Sequence, residues 1–252
     1  MRRRAFALLL ATLFWAPSAA LRAASEPVKG GLVPSAVLER YAASLAALKH
    51  PKAVTFDYSV EQLGLRNMEQ THHVYRSGRN ERDETLVVDG LQLPRPSVRI
   101  IANRTYRYDI GAVAPTPATY SFTYSGIVLD GDDLAYVFRT EPHVPASFAV
   151  SEIELDAHTF LPKIVRFKIA GYGARGSGEL LYGPSDVYWV VREAKVNAHL
   201  TSGTLAHERI TWSNYQFPAG LPPSTFEAPR PTTVLDPEAL ASPTPAPDSG
   251  QP

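Results

Sequence analysis

The chain has 252 residues with 44 % hydrophobic content, enough to fill a sizeable core and too apolar for a chain disordered throughout. Its 25 Lys and Arg balance 25 Asp and Glu without a long run of either sign, which argues against nucleic acid or an anionic membrane surface as a partner. Cysteine is absent, so disulfides, thiolate metal sites, Cys nucleophiles and a lipidated N-terminal Cys are excluded together.

The chain opens like an export signal. Arg2, Arg3 and Arg4 precede the apolar run from Ala5 to Ala16, and Ser18-Ala19-Ala20 offers small residues for cleavage after Ala20. That run is shorter than the ~20 apolar residues of a spanning helix. Residues 1–20 are therefore expected to be a signal peptide, with a mature periplasmic chain, soluble and monomeric, starting at Leu21.

A helix is predicted from Ser35 to His50, where Val37, Leu38, Tyr41, Leu45 and Leu48 recur at helical spacing between Pro34 and Pro51. The period then switches to two, because Val54, Phe56, Tyr58 and Val60 alternate with polar residues. Strands follow near 70–77, 84–88, 98–102, 105–110, 119–128, 134–140, 148–156, 163–170, 179–183, 187–200 and 205–217. Turns are marked at Asn103-Arg104, Asp130-Gly131-Asp132, Asp156-Ala157-His158 and Ser202-Gly203. Such short connections exclude crossover helices and predict a mainly antiparallel sheet. The Ala- and Pro-rich stretch Ala112 to Ala118 reads as a short lid or flap. Residues 229–252 hold seven of the 22 prolines and few large apolar groups, which makes them a flexible tail and leaves 21–228 as one domain.

Few motifs suggest catalysis. Gly171-Tyr172-Gly173-Ala174-Arg175-Gly176 matches a dinucleotide-binding string, but it lies between two strands and reads as a hairpin turn. His72 and His73 are adjacent on a strand, so they point to opposite faces and cannot chelate one metal. Glu152 and Glu154 share a strand face and read as solvated surface rather than as acid and base. A non-enzymatic protein without metal or cofactor is expected.

Aromatic side chains carry the stronger signal. Phe56, Tyr58, Tyr106, Tyr108, Tyr120, Phe122, Tyr124, Tyr136, Phe138 and Trp189 fall on the apolar sides of their strands. One helix is poor cover for a sheet of about ten strands, so the sheet must curl, split or enclose something. These ten residues therefore line either a filled core or a ligand cavity.

The order of elements over about residues 35–227 resembles the LolA/LolB-like periplasmic lipoprotein-sorting family. The resemblance rests on the helix Val37 to Lys49 feeding the strand Val54 to Val60, and on the stretch Ile153-Glu154-Leu155-Asp156-Ala157-His158-Thr159-Phe160-Leu161-Pro162-Lys163-Ile164. Tyr215-Gln216-Phe217, Leu221-Pro222 and Phe226 are similar to the family's closing strand and docking turn. The resemblance implies a strongly curved antiparallel sheet forming an incomplete barrel, with the N-terminal helix covering an apolar cavity for acyl chains. It also implies lipid or lipoprotein acyl chains as ligands; the family's lid-locking arginine has no matched motif here, with Arg76 and Arg79 as the candidate positions. Without an N-terminal Cys the chain reads as a soluble carrier. The alternative is an RseB-type sensor that regulates an envelope membrane protein.

Overall fold

The computed structural model describes residues 32–64, 67–104, 108–130, 133–171 and 173–228. The expected signal peptide, Tyr106 and the expected tail lie outside the described residues, and the helices and strands all belong to the unit from Pro34 onward.

The helix forms as α1 (Pro34–Ala46), with Pro34 in its first turn, where a missing N–H costs nothing. It ends four residues before the predicted His50, leaving Leu48 to Pro51 irregular. Eleven strands follow: β1 (Ala53–Leu63), β2 (Met68–Ser77), β3 (Asn80–Val88), β4 (Leu91–Ile101), β5 (Tyr120–Asp130), β6 (Asp133–Pro142), β7 (Phe148–Asp156), β8 (Pro162–Gly171), β9 (Ala174–Ser185), β10 (Tyr188–Leu200) and β11 (Leu205–Gln216). They form one antiparallel sheet in the order β4-β3-β2-β1-β11-β10-β9-β8-β7-β6-β5. The sheet is not closed, since β4 and β5 are both edges.

Three local readings change. The strand expected at 105–110 is not continued at its described end, because Tyr108 is in a turn and α2 (Ile110–Val113) begins there. Asp109 caps that short helix by accepting the Gly111 N–H at 3.2 Å. Strand β4 starts earlier than expected and contains Pro94 and Pro96. They fall where the pairing with β3 is interrupted, between Gln92 opposite Val87 and Ser97 opposite Thr85, on an edge strand that needs no further donors. The stretch 112–118 is held at Val113 and Pro115, which are buried, and the Pro115 carbonyl accepts the Tyr41 hydroxyl at 2.6 Å, while 116–118 are exposed.

Two adjacent rows across the sheet show how period-two patterning sorts side chains. One row runs Tyr124, Phe138, Ile153, Val165, Leu180, Ala194, Ile210 and Val60 through successive strands from β5 to β1. It faces inward, and Phe138, Ile153, Val165, Leu180 and Ala194 are each at most 1 % exposed. The neighbouring row is Arg139, Glu152, Arg166, Glu179, Lys195, Arg209 and Glu61, and it faces out. Glu152 and Glu154 are thus not simply solvated, as both accept from the Arg166 guanidinium at 2.5 Å. Lys195 bridges Glu179 at 3.3 Å and Glu193 at 3.0 Å.

The GxGxxG string is the β8–β9 turn, with Gly173 at φ +76°, a conformation that favours glycine. Two residues beyond that string, Gly178 has a packing role. A Cβ there would lie 2.4 Å from the Lys195 carbonyl oxygen and 2.5 Å from the Phe167 ring. Gly178→Ala is accordingly expected to cost ~1–3 kcal/mol by overpacking, read from urea denaturation, while Gly203→Ala, with open space around it, loses only through its backbone conformation.

Candidate ligand cavity

Between β4 and β5, the two edges of the sheet, the described residues from Tyr108 onward lie on the sheet's inner side and form a strap. It is anchored by the Tyr182 hydroxyl, which donates to the Tyr108 carbonyl at 3.0 Å, and by the Tyr108 ring edge-on to Trp212 at 5.3 Å. Ile110 and Val113 of α2, within the same segment, are buried. On the β5 side of this strap, α1 fills the inner space. Tyr41 is fully buried and meets Phe122 edge-on at 6.2 Å, and the guanidinium of the preceding Arg40 sits 5.1 Å from the Phe160 ring centroid.

On the other side of the strap the inner space is not filled. A half-open cavity of about 640 Å³ remains, inside the ~300–1,000 Å³ range of sites that take one small molecule. Val54 and Phe56 of β1, Tyr188 to Val191 opening β10, Trp212 and Tyr215 of β11, and Phe217 just beyond it make one continuous part of its wall. Leu48 to Pro51, the irregular stretch after α1, closes one side, so residues of α1 itself do not line it.

The aromatic walls are held in place by their polar tips. Tyr215 donates to the Val191 carbonyl at 2.8 Å, and Trp189 Nε1 donates to the Pro162 carbonyl at 2.8 Å. Phe56 lies 5.3 Å from Tyr215, and Tyr188 lies 4.3 Å from Phe217. Burial pushes the Tyr215 and Tyr182 hydroxyls well above the ordinary phenol range, so both remain donors at any physiological pH. Tyr215 and Trp189 therefore present apolar faces to the cavity while their polar atoms are satisfied elsewhere.

One end of the cavity is charged. Arg76 lines it, with its guanidinium carbon 5.0 Å from the Phe56 ring centroid, and donates from Nη2 at 2.8 Å and Nε at 3.1 Å to Glu81. Glu81 is only 3 % exposed, and its other oxygen faces Arg104 Nε at 3.4 Å. Further along the same inner face, Asp83 accepts from His72 Nδ1 at 2.8 Å, Arg99 at 2.6 Å and Tyr58 at 3.0 Å, while the Tyr58 and His72 rings stack at 4.3 Å. Burial would raise the Asp83 carboxyl, but the hydrogen bonds from His72, Arg99 and Tyr58 outweigh it and hold it below the usual carboxylate value. His73 points to the opposite face and meets Asp57 at 2.5 Å, as the alternation requires.

Of the ten aromatic residues singled out from the sequence, Phe56, Tyr108 and Trp189 line this cavity. Tyr58 belongs to the Asp83 cluster instead. Tyr120, Phe122, Tyr124, Tyr136 and Phe138 lie on β5 and β6, away from the lining. There Phe122 and Tyr124 contact Phe138 at 6.3 and 5.4 Å, Tyr136 stacks on Phe160 at 6.2 Å, and the Tyr120 hydroxyl accepts the Val150 N–H. The sequence reading missed Trp212, Tyr215, Phe217 and the pairing of the arginines. Tyr215 was hidden by a bulge, because Thr55 pairs with Gln216 but Asp57 with Ser213, so β11 carries one extra residue there. Asn214 at φ +54° absorbs that residue, and Tyr215 thereby reaches the same cavity as Trp212 despite the odd spacing.

No protein-family model matches the sequence, and no curated protein matches it. Solved structures similar to the chain include a LolA superfamily protein from Nitrosomonas europaea, 12 % identical, with a TM-score of 0.42 over 79 % of this chain and 99 % of that one. A DUF1329 family protein from Desulfovibrio piger is 11 % identical, with a TM-score of 0.43 over 77 % of this chain and 96 % of that one. An outer membrane lipoprotein-sorting protein domain from Vibrio parahaemolyticus is 13 % identical, with a TM-score of 0.44 over 75 % of this chain and 95 % of that one.

Proposed function

We propose that this protein is an exported, non-catalytic carrier that holds an acyl chain of a lipid or lipoprotein. The half-open, aromatic-walled cavity beside the strap carries this reading, since a filled core would leave no such space. Its location follows from the expected export signal, and the periplasm is the compartment in which such a carrier works between two membranes. Phe56, Tyr108 and Trp189 are the acyl-contacting residues of this reading, joined by Trp212, Tyr215 and Phe217.

The chain's three tryptophans are Trp15, Trp189 and Trp212. Once the expected signal peptide is removed, both remaining indoles line the cavity, so ligand entry should be visible without a label. Titrating the mature protein with a dibrominated long-chain fatty acid, below its micelle concentration, is expected to quench tryptophan emission by more than half and saturably. Unchanged emission, together with a native mass spectrum free of lipid, would remove the carrier reading.

A further inference from the structure

We propose that the cavity selects an anionic single-chain amphiphile, whose acid group sits on Arg76 and Arg104 while its chain lies against Phe56, Trp189 and Trp212. This inference rests on the carrier reading and adds the charge and size of the ligand.

Three observations carry it. Among the described residues the ionisable side chains of the lining are unbalanced, with Lys49, Arg76 and Arg104 against Asp109, and His50 beside them. Asp109 is already engaged in capping α2. Glu81, buried beneath Arg76, is a single carboxylate shared by two guanidiniums, which outnumber it by one charge. The two are held unequally. Arg76 grips Glu81 through two N–H groups, whereas Arg104 approaches at 3.4 Å with its side chain 43 % exposed. Arg104 therefore gives up little when it turns toward an incoming anion, and planar guanidinium suits a carboxylate or phosphate.

Polar and apolar parts are also contiguous. The Arg76 guanidinium lies over Phe56, which itself belongs to the aromatic wall, so a ligand with a charged head and an apolar chain can contact both without a gap. A cationic head would meet like charge, and a neutral one would leave the charge excess unanswered. Size narrows the choice further. At ~30 Å³ for each water-sized group, about 640 Å³ holds roughly 20 such groups, the size of one chain with its head.

Tryptophan quenching separates the outcomes, using a dibrominated fatty acid, its methyl ester and the corresponding brominated alkyl phosphate on the mature protein. The acid or the phosphate is expected to bind at least tenfold tighter than the ester, and whichever is tighter identifies the head group. Arg104→Gln should weaken the preferred anion about tenfold and leave the ester unchanged. Glu81→Gln should do the reverse of a damaging mutation. It removes the internal competitor for both arginines, and affinity for the anion should rise severalfold, again without effect on the ester. Equal binding of anions and ester, or a folded Glu81→Gln variant that does not bind the anion more tightly, overturns the proposal while leaving the carrier reading intact. Binding of none of the three probes overturns both. Because Arg104 is half-exposed, its variant remains informative even if Arg76→Gln fails to fold.

Discussion

Truncating Phe138 to alanine is expected to destabilise the protein by ~3–5 kcal/mol, the cost of emptying a packed aromatic site. Phe138 is 1 % exposed, touches Phe122 and Tyr124 ring to ring, and lies in the inward row between Tyr124 and Ile153. Trp189→Ala should behave differently, because part of its ring borders open space and fewer contacts are lost, while the quenching signal and probe affinity should fall sharply. Urea denaturation of both variants, paired with the fatty-acid titration, reads the contrast. Near-equal stability losses with unchanged probe binding would show that the β5–β6 aromatics and the cavity wall are one continuous core.

The second large effect concerns Asp83. It is 3 % exposed and accepts from three side chains on three other strands, so Asp83→Ala leaves His72, Tyr58 and Arg99 turned toward an empty buried position. A loss of ~3–5 kcal/mol is expected, as for other broken buried charge pairs. Its pH dependence has a definite sign. The folded carboxyl is held below its unfolded value, so its contribution is complete above the ~3.9 of a free aspartate and drains away as pH falls further toward the folded value. The gap in urea midpoint between the unmutated protein and Asp83→Asn should therefore shrink as pH falls below about 4. A gap that widens on acidification would contradict this assignment.

Most of the architecture could be read from period alone. The alternation of Val54, Phe56, Tyr58 and Val60, repeated with turns between, is a backbone property that tertiary contacts do not override when one face is wet. Reading failed where local chemistry was atypical. Pro94 and Pro96 hide a strand that tolerates them only because it is an edge, and Asp109 with Gly111 starts a helical turn inside a run that looked extended. For the site, composition pointed to aromatic walls but not to which walls remain uncovered. That depends on where α1 and the strap lie, and both are placed by contacts between distant residues such as Tyr41 with Pro115 and Tyr182 with Tyr108. The arginine pair was invisible for a related reason. Arg76 and Arg104 become a pair only through Glu81, across a hairpin and an edge strand.

The pairing of the first strand with the last also sets how this molecule must assemble. Strands β1 to β4 and β5 to β11 are two meanders in which each strand pairs with its sequence neighbour, and both can zip locally as soon as they exist. The seam between them is another matter, because Val60 lies opposite Ile210 and closing so long a loop costs ~4 kcal/mol of chain entropy before any contact is gained. Completion of the sheet is therefore the slow step of folding and waits for β11, the last strand to be made. Until then the exposed edges of β1 and β11 are the places where a newly made chain is most open to proteases and to wrong partners.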